Sequence, residues 1–587
     1  MIGTEATWTA VRRWLLVVAG VAGLLGFLLE YGTYEAARLA DWLALLRGLA
    51  VGGFLLEGAL AALTIRPWRD FLATRWPLLV LAGLLLCELT VVMAGGEQWL
   101  VPFLHFFSIR TAAQAYVVLL QLFIVGNLLA SLPRVSARVA GRRVRPMVLF
   151  LAAFALAILV GGGLLTLPRA APPGEQARFL DAAFTSTSAV CVTGLAVRDT
   201  GTEWTRFGQW IILLLIQIGG LGIMSVTAAM ALLLGRGLGL REGSLLREIF
   251  QVDFVEQVGR NMRFIALFTV GTELLGAGLL FVGFRAAVPH PATRAFTALF
   301  HSVSAFCNAG FSTFPDNLCS FAASPLVYLT VAGLLIVGGI GFPVAANVLA
   351  FMRGRALAQP GGHPRRLTVQ TRVVLRMTGL LLAGGTLLLA LLEWNGAFAG
   401  RPVYEKLGLA FFQAATPRTA GFNTIDTARL CEASLLLHIV LMFIGASSAS
   451  TGGGIKVTTL AVIWANLRAI ATGHPQARLH DREISQQVGR QATFVFLTNL
   501  FVGTAGTFLL LLTDGQPALA SAYEVYSALG TVGLSLGLTP GLTDAGKLII
   551  IMVMFFGRVG PLAVAYGIVR PTRERGVRLP ASRIMVG

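Results

Sequence analysis

Apolar runs of spanning length dominate the chain, and short polar or glycine-rich words punctuate them. "WLLVVAGVAGLLGFLL" (14–29), "MVLFLAAFALAILVGGGLLTL" (147–167), "LLLHIVLMFIG" (435–445) and "LIIIMVMFFG" (548–557) are examples. A helix needs about 20 mostly apolar residues to cross a bilayer. The pattern predicts twelve spans, near 12–30, 43–65, 77–95, 111–132, 147–167, 207–234, 262–284, 325–352, 373–393, 434–466, 491–513 and 546–569. Arg12 and Arg13 precede the first apolar core as in a signal peptide, but no small-residue cleavage site follows, so it reads as a retained helix.

Between the later spans one small turn recurs: "VTGLAV" (192–197), "NAGFST" (308–313), "TAGFNT" (419–424) and "TVGLSL" (531–536). Its glycines, Gly194, Gly310, Gly421 and Gly533, are separated by 116, 111 and 112 residues. A fixed period carrying the same elements in order is the mark of internal duplication. Each unit reads as a spanning helix, a half-length helix ending near the glycine, and a second spanning helix. The predicted divisions are 1–140 (extra N-terminal helices), pore repeats 147–234, 262–352, 373–468 and 490–570, and a cytoplasmic tail 571–587.

The half-length pieces, "ARFLDAAFTSTS" (177–188), "TRAFTALFHSVS" (293–304), "VYEKLGLAFFQAA" (403–415) and "ALASAYEVYSA" (518–528), each cover roughly 18 Å as helix. Extended backbone at membrane depth is tolerated only inside protein or along a water-filled path. Four such returns at one axis predict rings of carbonyl oxygens, faced by negative helix C-termini, which favour a dehydrated monovalent cation. The bland alternative is that each glycine merely ends a helix; four at matched spacing argue against it.

The second helix of each unit has an irregularity of its own: "QIGGLGIM" (217–224), "VGGIGFPV" (337–344), "IGASSASTGGGIKV" (444–457) and "FFGRVGPL" (555–562). The third should split its span in two. It is read either as a mobile plug below the filter or as a close-packed helix seam. Arg558 stands where the first two repeats carry uncharged residues (Gly220, Ile340). A charge inside a span faces a cavity or a partner, so it is either a barrier beside the pathway or one half of a pair, for instance with Glu273.

Composition completes the picture. The 587 residues are 56% hydrophobic and 13% charged, too little charge for a soluble chain of this size. The net charge of +18 gathers in loops on one side of the predicted topology, which marks that side as cytoplasmic, with both termini on it, and excludes a nucleic-acid role. Arg47, Lys456, Arg558, Glu57, Glu88 and Glu273 are the charges left inside spans, too scattered for an enzyme's site. Arg47 and Glu57 are read as a structural pair, with each other or with Glu88. No metal-ligand spacing is present among the seven His. Of the five Cys, Cys319 and Cys431 fall in outward loops and are either unpaired thiols or a disulfide. Four same-sense units favour a channel-like pore over an inverted-repeat carrier.

The words "VTGL", "CNAGF", "PRTAGFNT", "TVGLS", "QIGGLGIM", "GASSASTGGGIK" and "FFGRVGPL" together resemble the Trk, Ktr and plant-type HKT superfamily of potassium transporters, over about 147–570. The resemblance implies an all-α integral membrane protein with four pseudo-symmetric repeats around one pore, in the cytoplasmic membrane of a bacterium. It implies a potassium filter at Cys191, Val192, Thr193 and Gly194; Cys307, Asn308, Ala309 and Gly310; Arg418, Thr419, Ala420 and Gly421; and Gly530, Thr531, Val532 and Gly533. It implies a gate formed by Gly445, Ser447, Ser448, Ser450, Thr451, Gly452, Gly453, Gly454 and Lys456 with Arg558. Relatives with serine at the first filter position tend to favour sodium; glycine at all four implies K+, with Na+ or H+ coupling left open. Implied partners are lipid, a second copy in a homodimer and a ring of RCK-type nucleotide-binding subunits. Four helices before the repeats depart from both common patterns of the family.

Overall fold

The computed structural model describes residues 146–234, 258–356, 367–480 and 482–568, and single positions between 11 and 60. The predicted spans at 77–95 and 111–132, the embedded Arg47, Glu57 and Glu88, and the tail 571–587 lie outside the described residues.

All eight spans predicted after residue 146 fall on helices. The four stretches predicted as repeats keep that name: the first holds α1 (Pro146–Leu165), the half-length α2 (Phe179–Val190) and α3 (Arg206–Leu234). Repeat two comprises α4 (Val258–Gly283), α5 (Pro291–Phe306), α6 (Pro325–Ile340) and α7 (Phe342–Ala356). Repeat three comprises α8 (Val369–Glu393), α9 (Val403–Ala415), α10 (Glu432–Phe443) and α11 (Val457–Ala471). Repeat four comprises α12 (Gln486–Asp514), α13 (Ala518–Gly530), α14 (Asp544–Val559) and α15 (Pro561–Ile568). A two-residue antiparallel ribbon, β1 (Arg478–Leu479) with β2 (Arg482–Glu483), connects repeats three and four.

Local chemistry sets the boundaries. Thr368, Ser485 and Thr543 cap α8, α12 and α14 by accepting the backbone N–H groups of Thr371, Val488 and Gly546. Pro291 and Pro325 open α5 and α6, where a missing N–H costs nothing. The outer helices turn large apolar residues outward, among them Leu274 and Leu275 on α4, Leu391 on α8 and Phe501 on α12, as a lipid-facing surface requires. The inner faces pack around the half-length helices, whose Phe184, Phe300 and Phe412 are fully buried.

Besides 434–466, which divides as expected into α10 and α11, two predicted spans are not single helices. The segment read as 325–352 bends by 101° between α6 and α7, at Gly341 with φ +88°. The segment read as 546–569 breaks likewise at Gly560, φ +85°, between α14 and α15. A left-handed glycine followed by proline in the first turn of the next helix explains both: Pro343 and Pro561 cannot continue the preceding hydrogen-bond ladder.

Charge pairs fasten the seam where the last repeat meets the first. Lys547 on α14 meets Asp181 on α2 at 2.7 Å, both side chains largely buried. Arg178 meets Asp544 at 2.8 Å, both exposed. The thiols of Cys191, Cys307, Cys319 and Cys431 are free, so the alternative of a disulfide between Cys319 and Cys431 is not what the structure contains. Burial pushes the Cys319 thiol up to about 11.

Candidate ion pathway

Each half-length helix runs into a short extended strand of unusual backbone. Positive φ angles occur in pairs two residues apart: Val192 (56°) and Gly194 (96°), Asn308 (60°) and Gly310 (71°), Thr419 (77°) and Gly421 (73°), Thr531 (50°) and Gly533 (93°). Left-handed residues alternating with extended ones turn successive carbonyls toward the same side of a strand. Non-glycine residues rarely adopt this conformation, so four at equivalent places mark a backbone held by its surroundings.

The glycines also explain how the strands meet. A Cβ built on Gly194 would collide with the carbonyl oxygen of Ala309, on Gly310 with that of Ala420, on Gly421 with that of Val532, and on Gly533 with that of Thr193. Each glycine abuts the strand of the next repeat, and the fourth abuts the first. The contact order closes a ring, repeats one to four in sequence, with repeat two opposite repeat four. Glycine is required by φ and by space alike.

Pore-helix hydroxyls anchor the strands. Ser188 and Ser527 accept the N–H groups of Gly194 and Gly533 at 3.0 and 3.1 Å. Ser304 donates to the Phe311 carbonyl at 2.8 Å, and Thr416 donates to that of Phe422. These four anchors were missed in the sequence, although a serine six residues before the glycine in three repeats was a readable signal. Cys191 and Cys307 cap α2 and α5 at the lower end of the strands. The side chain of Arg418 leaves the strand for α8, where its guanidinium lies 3.4 Å from Thr378 Oγ1. Gly530 is the last residue of α13.

Beneath the ring, residues 444–456 separate α10 from α11 and fold in as a loop whose ends pair at Ile444 and Ile455. The loop touches three of the four strands. Thr451 Oγ1 lies 3.2 Å from the Asn308 side-chain amide, which also bridges to Thr419 at 3.1 Å. Gly453 donates its N–H to Thr531 Oγ1 at 3.0 Å. A Cβ on Gly452 or Gly453 would strike the Thr419 or Thr531 side chain. Close approach to the strands therefore accounts for glycine there.

Further contacts hold the loop in place. Ser447 and Thr451 donate backbone N–H groups to Gly339 and Gly338 of α6. Ser450 Oγ donates to the Ser447 carbonyl at 2.7 Å, and Ser448 Oγ pairs with Thr458 Oγ1 at 2.9 Å. Lys456 folds back so that Nζ donates to the Gly452 and Gly453 carbonyls at 2.7 and 3.4 Å. Gly445 packs against Gly453 and Gly454.

Arg558 is buried and its fork spans two repeats. One terminal nitrogen donates to the Thr451 carbonyl of the loop, the other to the Gly219 carbonyl of α3 at 2.6 Å. Glu273 makes a different set of contacts, with Gln217 at 3.4 Å and Cys307 Sγ at 3.9 Å. The pairing of Arg558 with Glu273 weighed from the sequence is therefore replaced by a carbonyl clamp. The register shifts by one as well. Gly219, Gly338 and Gly557 pack against the carbonyls of Val190, Phe306 and Leu529 near the pore-helix ends, so the counterpart of Arg558 in repeat two is Gly339, not Ile340.

The chain is a member of the TrkH family, described as cation transport protein, whose family model matches residues 129–571. It is 39% identical over 438 residues to the Ktr system potassium uptake protein B of Bacillus subtilis, covering 74% of this chain and 95% of that protein. It is 36% identical over 455 residues to the potassium/sodium uptake protein NtpJ of Enterococcus hirae, covering 76% and 98%. Among solved structures, the potassium transporter TrkH from Vibrio parahaemolyticus shares the fold at a TM-score of 0.56 and 20% identity, covering 84% of this chain and 96% of that one.

Proposed function

We propose that the chain takes up potassium across the cytoplasmic membrane through a channel-like pore, with the four glycine strands as selectivity filter and the loop 444–456 as gate. The observation that carries this reading is the closed contact order of the four glycines with the carbonyls of the neighbouring strands. Carbonyls at such a ring replace the hydration shell of a monovalent cation, and backbone held from behind keeps them spaced for one ion size. Potassium is the ion named for both curated relatives above. The gate reading rests on the loop's contacts with Asn308, Thr419 and Thr531 and on the Arg558 clamp beneath them.

The name of the Enterococcus relative includes sodium, which supports a second reading: sodium-coupled potassium entry, or weaker discrimination between the two ions. Purified protein in liposomes separates these readings. Potassium uptake should exceed sodium uptake with no second gradient imposed. Equal rates would discard the filter assignment, and uptake that requires a sodium or proton gradient would favour the coupled carrier.

The basic cytoplasmic loops suit a soluble regulator, and a nucleotide-binding ring on a homodimer is the arrangement we infer. The loops 235–263, 353–376 and 468–490 are those predicted to lie on that side, and they carry 15 Arg. Co-purification from native membranes tests it: repeated absence of a cytosolic partner, with normal flux, would restrict those charges to setting topology.

A further inference from the structure

Above the glycines the four strands are tethered unequally. Nine residues before the glycine the pore helices carry Thr185, His301, Phe412 and Glu524; two residues after it stand Ala196, Ser312, Asn423 and Ser535. In repeat two, His301 Nε2 lies 2.9 Å from Ser312 Oγ. In repeat four, Glu524 Oε2 accepts from Ser535 Oγ at 2.8 Å. Repeats one and three have no such link: Thr185 donates to the Asp181 carbonyl of its own helix, and Phe412 has no polar atom. Two different side chains thus do one job at matched positions of opposite repeats.

Both links are nodes, not single bonds. His301 Nδ1 donates to the Thr297 carbonyl at 2.8 Å, which leaves Nε2 of the neutral ring to accept from Ser312. Ser312 Oγ also accepts the Phe314 N–H at 3.0 Å and shares its one proton between His301 Nε2 and the Asn317 carbonyl at 3.1 Å, and the Asn317 amide donates to the Gly310 carbonyl at 3.4 Å. Glu524 takes a second hydroxyl from Thr539, and Ser535 Oγ accepts the Gly537 N–H at 3.0 Å. His301 and Glu524 are fully buried, so water does not compete for these bonds.

We propose that His301 and Glu524 are positioning residues for ion selection, which brace the outer ends of two opposite filter strands and stiffen the ring along one diagonal. The proposal rests on the reading of the ring as a potassium filter. A strand free to lean inward lets its carbonyls close on a smaller ion, so loss of a brace admits sodium before it stops potassium.

The test measures potassium and sodium uptake by full-length protein in liposomes. The wild type is read first: if it does not prefer potassium, the filter reading itself fails. With a selective wild type, Ser312→Ala and Ser535→Ala should each lower the potassium-to-sodium ratio about three- to tenfold, the scale of one lost buried hydrogen bond. Ser535→Thr and Glu524→Gln keep an acceptor–hydroxyl pair and should stay near wild type, which separates positioning from charge. Thr185→Ala, at the unbraced equivalent, should change nothing. Ser312→Cys and Ser535→Cys keep the volume, weaken the bond and carry the same expectation where an alanine variant does not fold. Folded variants with the wild-type ratio would overturn the proposal, as would an equal loss in Thr185→Ala.

Discussion

The strands of the ring and the loop beneath them are both non-helical backbone at membrane depth, both rich in glycine, and in contact. They differ in what holds them. Every strand is fastened from behind by a hydroxyl in its own half-length helix or, for Thr416, at that helix's C-cap: Ser188, Ser304, Thr416 and Ser527. The neighbouring carbonyl also blocks it on the side facing the next repeat. The loop belongs to one repeat only and reaches the others through a few contacts, chiefly the Arg558 clamp, the Thr531 hydroxyl and two backbone bonds to α6. Each neutral bond is worth about 0.5–1.5 kcal/mol net, so a modest bias can release the loop and leave the ring intact. Fourfold anchoring suits discrimination between ions, and one-sided attachment suits movement.

The largest expected effect comes from breaking the ring. Gly421→Ser places a side chain at φ +73° against the Val532 carbonyl and must displace it. The potassium-to-sodium ratio should fall by about tenfold or more, a loss of at least 1.4 kcal/mol of discrimination, while the protein still inserts. Relative uptake of the two ions in liposomes is the check; an unchanged ratio would mean the ring does not select.

The clamp comes next. Arg558→Ala removes both bonds that tie the loop to α3 and should raise basal flux about tenfold, the scale of one lost charge-assisted bond. Arg558→Lys sharpens the comparison. A lysine is a point donor and cannot reproduce a fork across the Thr451 and Gly219 carbonyls, so flux should lie closer to the alanine variant than to the wild type. Wild-type flux in the lysine variant would assign the block to charge alone.

Much of this contrast was legible in the sequence, for identifiable reasons. The period of the four glycines, the half-length helices and the split after Phe443 are local patterns, and local patterns survive in one dimension. The partners of Arg558 lie 107 and 339 residues away and are backbone carbonyls, which no side-chain pattern announces. The breaks at Gly341 and Gly560 had a signal in "GFP" and "GP", outweighed by the length of the apolar runs around them. The anchors and the His301 and Glu524 braces were hidden because a buried polar residue in an apolar helix has no address until its partner is placed.

Smaller effects are expected at the seam between repeats four and one. Lys547→Met leaves Asp181 without its partner in a mostly buried site and should cost about 1–3 kcal/mol of stability, seen as a lower melting temperature in detergent. Arg178→Ala, in a pair exposed on both sides, should shift it hardly at all, within about 1 kcal/mol. Equal shifts in the two variants would show that burial does not separate these pairs.

Deletion of Ser448–Gly454 tests the division between ring and loop most directly, because flux and selectivity are read from one preparation. The deletion removes Thr451, the loop side of the Arg558 clamp, and the Gly453 bond to Thr531, and leaves every strand anchor in place. Basal potassium uptake into liposomes should rise at least about tenfold, and the potassium-to-sodium ratio should stay within about twofold of wild type. Unchanged uptake in a folded deletion variant would contradict the account of the loop as the gate. A raised uptake with the ratio lost would contradict the separation of gate from filter.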